Sequence, residues 1–155
     1  MKREHLAVLQ VDAESADTHV VIKAATPADR YFPPLLAAQM LLDVGGLVKQ
    51  SCYSKPGKKK ATGRWAFAQE IFSNHGRGTE AGHFLEHLIL EMLSLADKTA
   101  RRFTGETTWN FTREPDVYRL RFNMATPDEV KSALVQGAEI LGRRQYHVSL
   151  EKKAG

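Results

Sequence analysis

The sequence predicts an α+β fold: an antiparallel sheet of about four strands, with about three helices packed mainly on one face. Three observations lead there. Short β-branched runs lie towards both ends of the chain, and three longer stretches place apolar residues at helical spacing. The two kinds of segment also mix without the regular strand–helix–strand alternation of a parallel sheet.

Residues 6–11 and 18–24 read as a pair of strands in one hairpin, joined by the polar link Asp12–Asp17. Thr26-Pro27-Ala28-Asp29 is turn chemistry. From Tyr31 to Val44, Leu35, Leu36, Met40, Leu41 and Val44 recur at helical spacing, and Gly45-Gly46 ends that helix. Residues 54–64 read as a loop, Trp65 to Phe72 alternates as a strand does, and Asn74–Gly78 is a glycine-rich turn. The segment from Glu80 to about Phe103 is a helix, with Leu85, Leu88, Met92, Leu95 and Thr99 spaced by three and four. Thr79 suits its N-cap, and Glu80 suits the positive end of its dipole. Val117–Phe122 alternates as a half-buried strand. Pro127 after Thr126 opens a helix over 128–143, and Tyr146–Leu150 forms a last short strand.

At 155 residues the chain fits a single domain, 1–155, with about 1–5 and 152–155 expected as tails. No apolar run approaches the ~18 residues of a membrane span. No apolar region follows the basic start, so no secretory signal is read. A single cysteine, Cys52, excludes an intramolecular disulfide and fits a reducing cytoplasm. With no histidine near it in sequence, Cys52 reads as an inert thiol. The net charge of +4 slightly favours an anionic partner.

One stretch names a chemistry. His83-Phe84-Leu85-Glu86-His87 has the HxxEH arrangement of inverted zinc peptidases. On a helix, His83 and His87 lie about 40° apart and roughly 6 Å apart in rise. Both imidazoles can therefore reach one metal ion, with Glu86 about 60° to the other side of His83. Zinc held by two imidazoles needs a third protein ligand and keeps a fourth position for water. It lowers the pKa of that water toward about 7, and Glu86 could take the proton and pass it to a leaving amine. Glu91 could be a stretched third ligand, or could accept from the free ring nitrogen of His87. Glu106, Glu114, Asp116 and His75 are other candidate donors.

The motif and its flanks, Gly82-His83-x-x-Glu86-His87-x-x-x-Glu91, then Leu95-Ala96, Phe103-Thr104-Gly105-Glu106-Thr107 and Val117-Tyr118-x-Leu120-x-Phe122, resemble the N-terminal domain of cyanophycin synthetases. The similarity runs over about residues 40–142 and is looser before the motif. The resemblance implies an α+β domain that can hold a metal and, in some members, hydrolyses the polymer to make primers. It also implies His83 and His87 as metal ligands, Glu86 as general base, and Glu91 as third ligand or its support. The chain departs from the family at Asp97, where a glycine is usual, and at Thr107-Thr108, where Thr-Arg is usual. It carries no Gly-x-x-x-x-Gly-Lys-Ser/Thr phosphate loop and has no room for an ATP-grasp module, so synthetase activity is not expected.

Three function classes follow. The first is a zinc-dependent hydrolase acting on a peptide or polypeptide, with a homo-oligomer compatible with that reading. The second is a non-catalytic domain of the same fold that binds peptide or polymer. The third is a nucleic-acid-associated protein, suggested by Lys55, Lys58, Lys59, Lys60 and Arg64 near Tyr53 and Trp65. No nucleic-acid motif accompanies that loop, so nucleic-acid binding is not expected.

Overall fold

The computed structural model describes residues 3–52, 63–73 and 78–150. The expected basic loop, apart from Gly63 and Arg64, the Asn74–Arg77 part of the glycine-rich turn, and the expected tail 152–155 lie outside these residues. The fold is α+β, with seven strands and four α-helices among the described residues. None of its helices is long and apolar enough to cross a membrane among the described residues. The chain divides into two compact units, Met1–Arg30 with Ala81–Gly155, and Tyr31–Glu80.

The first unit is built on a five-stranded sheet. Its strands are β1 (Glu4–Glu14), β2 (Asp17–Ala24), β5 (Gly105–Trp109), β6 (Val117–Asn123) and β7 (His147–Leu150). They lie in the order β5-β6-β2-β1-β7. β1 and β2 form the expected hairpin, closed by Ser15 and Ala16, with Ser15 in the left-handed region at φ 57°. β6 pairs antiparallel with both β2 and β5, but β7 runs parallel to β1. The sheet is therefore mixed rather than wholly antiparallel. The cause is topological: α4 (Pro127–Arg143) carries the chain from β6 across to β7 at the opposite edge.

Alternation sorts the side chains of each strand. Thr18, Val20, Ile22 and Ala24 of β2 face inward with Tyr118, Leu120 and Phe122 of β6. His19, Lys23, Arg119 and Arg121 face the other way. Two helices, α3 (Ala81–Ala96) and α4, cover the inward face. Phe84, Leu85, Leu88 and Ile89 of α3 are fully buried there. Each such side chain contributes roughly 1.5–3 kcal/mol relative to exposure, enough to hold a helix that also buries polar groups. α4 begins as expected, with Pro127 at its first turn and a capping box in which Thr126 and Glu129 satisfy each other's backbone amides.

Two expectations in this unit need correction, and one strand goes unread in the sequence. α3 ends at Ala96, not near Phe103. Asp97 turns its carboxylate onto the Arg101 amide at 2.8 Å and the Thr99 hydroxyl at 2.9 Å, and Ala100 sits at φ 58°. An aspartate that bonds the backbone beyond it competes with helical continuation. Gly105–Trp109, given no element in the sequence reading, form strand β5. β1 begins at Glu4, inside the expected tail, and Arg3 pairs with both oxygens of Asp29 at 2.9 and 3.0 Å.

The second unit contains α1 (Pro34–Asp43), α2 (Ala66–Ser73) and a two-stranded ribbon of β3 (Tyr31–Phe32) and β4 (Thr79–Glu80). α1 starts three residues later than expected because Pro33-Pro34 forces an extended backbone before it, and Pro34 then occupies the first turn. The stretch 65–72, read as a strand, is helix α2. Ala66, Phe67, Ala68 and Ile71 are its buried residues, a stripe that a short window cannot distinguish from alternation. Thr79 is not a cap: it pairs with Phe32 across the ribbon, and α3 begins only at Ala81.

Candidate functional site

α3 carries the candidate chemistry, and its seat on the sheet is set by Gly82. A Cβ at that position would stand 2.4 Å from Tyr118 Cγ, so the first turn of α3 lies directly against the Tyr118 ring on β6. The ring is itself fixed, since its hydroxyl donates to the Arg30 carbonyl at 2.7 Å. This close approach is what glycine permits and any side chain blocks.

From that seat the two histidines converge. His83 Nε2 and His87 Nε2 lie 3.0 Å apart, with ring centroids 4.8 Å apart and planes at 59°. Two zinc–nitrogen bonds of about 2.0–2.1 Å at a tetrahedral angle separate their nitrogens by roughly 3.3 Å. The observed spacing is close to what a shared metal ion requires. Without an ion, one ring donates to the other. His83 is half-buried, while His87 is only 2% exposed. Burial first, and the neighbouring His83 second, hold the His87 imidazole well below its ordinary pKa of 6.5. His87 is thus neutral at pH 7, the protonation state a metal ligand needs.

Glu86 is also buried, at 5% exposure, and looks toward β5. The Thr107 hydroxyl donates to its Oε1 at 2.6 Å. A Cβ on Gly105 would lie 2.9 Å from Oε2 and 3.0 Å from Cγ, so β5 leaves a notch for the carboxyl group. Glu91 is half-buried, one turn beyond His87. Among the described residues, neither Glu86 nor Glu91 belongs to a set of three metal-ligating side chains within 4.8 Å of one another. The other candidate donors are placed elsewhere. Glu114 holds Arg119 through two bonds at 2.9 and 2.6 Å, and Asp116 accepts from Arg30 Nε at 2.5 Å. Glu106 is on the outward side of β5, opposite Arg121, and His75 lies outside the described residues.

The sequence pairs the histidines, but shows Gly82, Gly105 and Thr107 only as flanking residues with no part of their own. Gly105–Trp109 is too short a stretch for its sequence pattern alone to show that it lies beside Glu86. Cys52, in the second unit, is buried, and its thiol donates to Glu70 Oε2 at 2.9 Å. Comparisons with protein-family models, curated proteins and solved structures each returned no match, so the resemblance to cyanophycin synthetase domains rests on the motif and its flanking residues.

Proposed function

We propose that His83 and His87 hold a zinc ion and that the protein is a metal-dependent hydrolase of peptide or amide bonds. The observation that carries this reading is the 3.0 Å convergence of two Nε2 atoms, one on an imidazole that burial keeps neutral. Bound there, zinc supplies water acidic enough to ionise near pH 7. The chain's own residues do the rest. Glu86 takes the proton from the water as its oxygen attacks the carbonyl carbon, then hands it to the departing amine as the C–N bond breaks. Thr107 orients the Glu86 carboxyl group through its 2.6 Å hydrogen bond. Glu91 serves as third ligand or as the partner of the free ring nitrogen of His87. The substrate is a peptide or polypeptide, and the family resemblance points to cyanophycin or a related polymer.

Metal analysis of the purified protein, coupled to a cyanophycin and peptide cleavage assay, tests the reading. About one zinc per chain is expected, lost in His83→Ala and His87→Ala. Hydrolysis is expected in wild type and abolished in Glu86→Gln, with zinc retained. Cobalt substitution then reports, through its charge-transfer and d–d bands, whether nitrogen, oxygen or sulfur completes the coordination sphere. No bound metal would refute the proposal.

One observation favours a second reading, a metal-holding domain that binds peptide or polymer without cutting it. The Glu86 carboxyl group is already engaged by β5 through Thr107. Stoichiometric zinc without hydrolysis selects that reading, whereas hydrolysis indifferent to Glu86→Gln removes Glu86 from the proposed mechanism.

A further inference from the structure

We propose that His5 is an acid-operated clasp on the C-terminal strand: its neutral Nδ1 holds the first amide of β7, and protonation releases that strand from β1. The pairing of β7 with β1 is short. Glu4 opposes His147, while Leu6, Ala7 and Val8 oppose Val148, Ser149 and Leu150, and the register shifts between Glu4 and Leu6. His5 occupies the shift. There the backbone N–H of His147 donates to His5 Nδ1 at 3.0 Å. A ring nitrogen that accepts a hydrogen bond carries no proton, so this contact exists only for an imidazole unprotonated at Nδ1.

The ring is held in place for that task. It stacks on Tyr146 with centroids 4.5 Å apart and planes 17° from parallel. Its backbone carbonyl accepts from Ala25 N–H at 2.9 Å, fixing β1 at this point. β7 is four residues long, half-buried throughout, and an edge strand that is paired with β1 and packed on α4.

The groups facing His5 come from every element packed on it. Arg3 precedes it, Asp29 lies in the turn after β2, His147 opens β7, and Tyr146 supplies the stacked ring. Burial, then Arg3, disfavours a charge on His5, and His147 adds to this. Asp29 pulls the other way, but its oxygens are already bonded to Arg3 and to the Thr26 amide and hydroxyl. The Tyr146 ring would attract an imidazolium, yet that attraction does not restore the acceptor for the His147 amide. The net direction is down from 6.5. The clasped state thus binds the proton more weakly than an undocked His5. Stability from the clasp is complete above about pH 6.5 and is lost as the pH falls below it. Release bares the β1 edge, whose free amides and carbonyls can pair with another strand.

Native-state amide hydrogen exchange on the intact chain, read residue by residue by NMR, tests this. Corrected for intrinsic rates, protection of amides 147–150 is expected to fall about tenfold or more between about pH 7 and about pH 5. The amides of β2 and β6 keep theirs. His5→Asn puts an oxygen acceptor close to the position of Nδ1 but does not titrate, so β7 in that variant stays protected at both values. Unchanged β7 protection in wild type, or an equal loss in His5→Asn, overturns the proposal. Should His5→Asn not fold, nitrogen-15 shifts of the wild-type His5 ring decide. The proposal needs Nδ1 unprotonated at neutral pH and a His5 midpoint that coincides with β7 release; a proton on Nδ1, or titration with β7 still protected, overturns it.

Discussion

Gly82 is the second residue of α3, and a Cβ there would meet Tyr118 Cγ, Cδ1 and Cβ at 2.4, 2.5 and 2.8 Å. Comfortable carbon–carbon contacts are about 3.5–4.0 Å, so all three are deep in the repulsive range. Neither side can yield cheaply. Tyr118 is fully buried, donates to the Arg30 carbonyl at 2.7 Å, and stands edge-on to Trp109 and Phe111 at 5.5 and 5.3 Å. α3 is pinned from the other side by Phe84, Leu85, Leu88 and Ile89. In an open helix, glycine to alanine gains about 1 kcal/mol. Overpacking a rigid core costs about 1–3 kcal/mol, and the two pinned partners put this site at the top of that range. Gly82→Ala is therefore expected to destabilise the protein by about 1–2 kcal/mol net.

Urea denaturation followed by circular dichroism measures this, with an unchanged slope showing that the unfolded state is unaffected. Gly142 is the internal control. It lies in α4, and a Cβ there meets nothing within 4 Å. The same substitution at Gly142 should stabilise, by up to about 1 kcal/mol. Two substitutions of one kind would then carry opposite signs. A Gly82→Ala protein as stable as wild type would refute the close packing of α3 on β6.

Four further outcomes follow from the same structure. Thr107→Val removes the donor to buried Glu86 and should cost about 1–3 kcal/mol in urea denaturation; a change within error would show that Thr107 does not hold Glu86. Zinc at 100-fold its Kd should stabilise the protein by about 2.7 kcal/mol at pH 7 by thermal shift, an effect absent in His87→Ala. In chelator-treated protein, stability carried by neutral His87 should be full above about pH 6.5 and decline below it, because its folded-state pKa is lowered. Arg101→Met should destabilise most above about pH 4.5, since Arg101 and the Thr126 amide draw Glu129 down to about 2; the gap from wild type should close as the pH falls toward about 2.

The elements that could be read in the sequence were those whose pattern is long or capped locally. β1, β2, β6, α4 and the core of α3 show their period over many residues, and Thr126-Pro127 marks its own helix start. The failures were short segments. Five residues of β5 and eight of α2 give too few repeats to separate the two periods, so their partners decide. β7 was found as a strand, but nothing local states that it pairs parallel to β1, because that direction is fixed by the route of α4. The same limit applied to the site. The four-residue spacing of His83 and His87 brings the imidazoles together on any α-helix, whatever surrounds it. The surroundings of Glu86 depend on a strand about twenty residues later, and no periodicity reaches that far.

That division bears on how the HxxEH motif works. Successive residues on a helix project about 100° apart, so Glu86 and His87 leave α3 in clearly different directions. The helix alone fixes the histidine pair. Whether Glu86 acts on a water beside it depends on what lies on its own side, and there β5 supplies a donor in Thr107 and a notch at Gly105. Both features fix one position of a carboxyl group, and neither is needed to retain a metal. Burying a carboxyl group at 5% exposure is costly without such a seat, so Thr107 is the residue whose removal perturbs Glu86 while leaving the histidine pair in place.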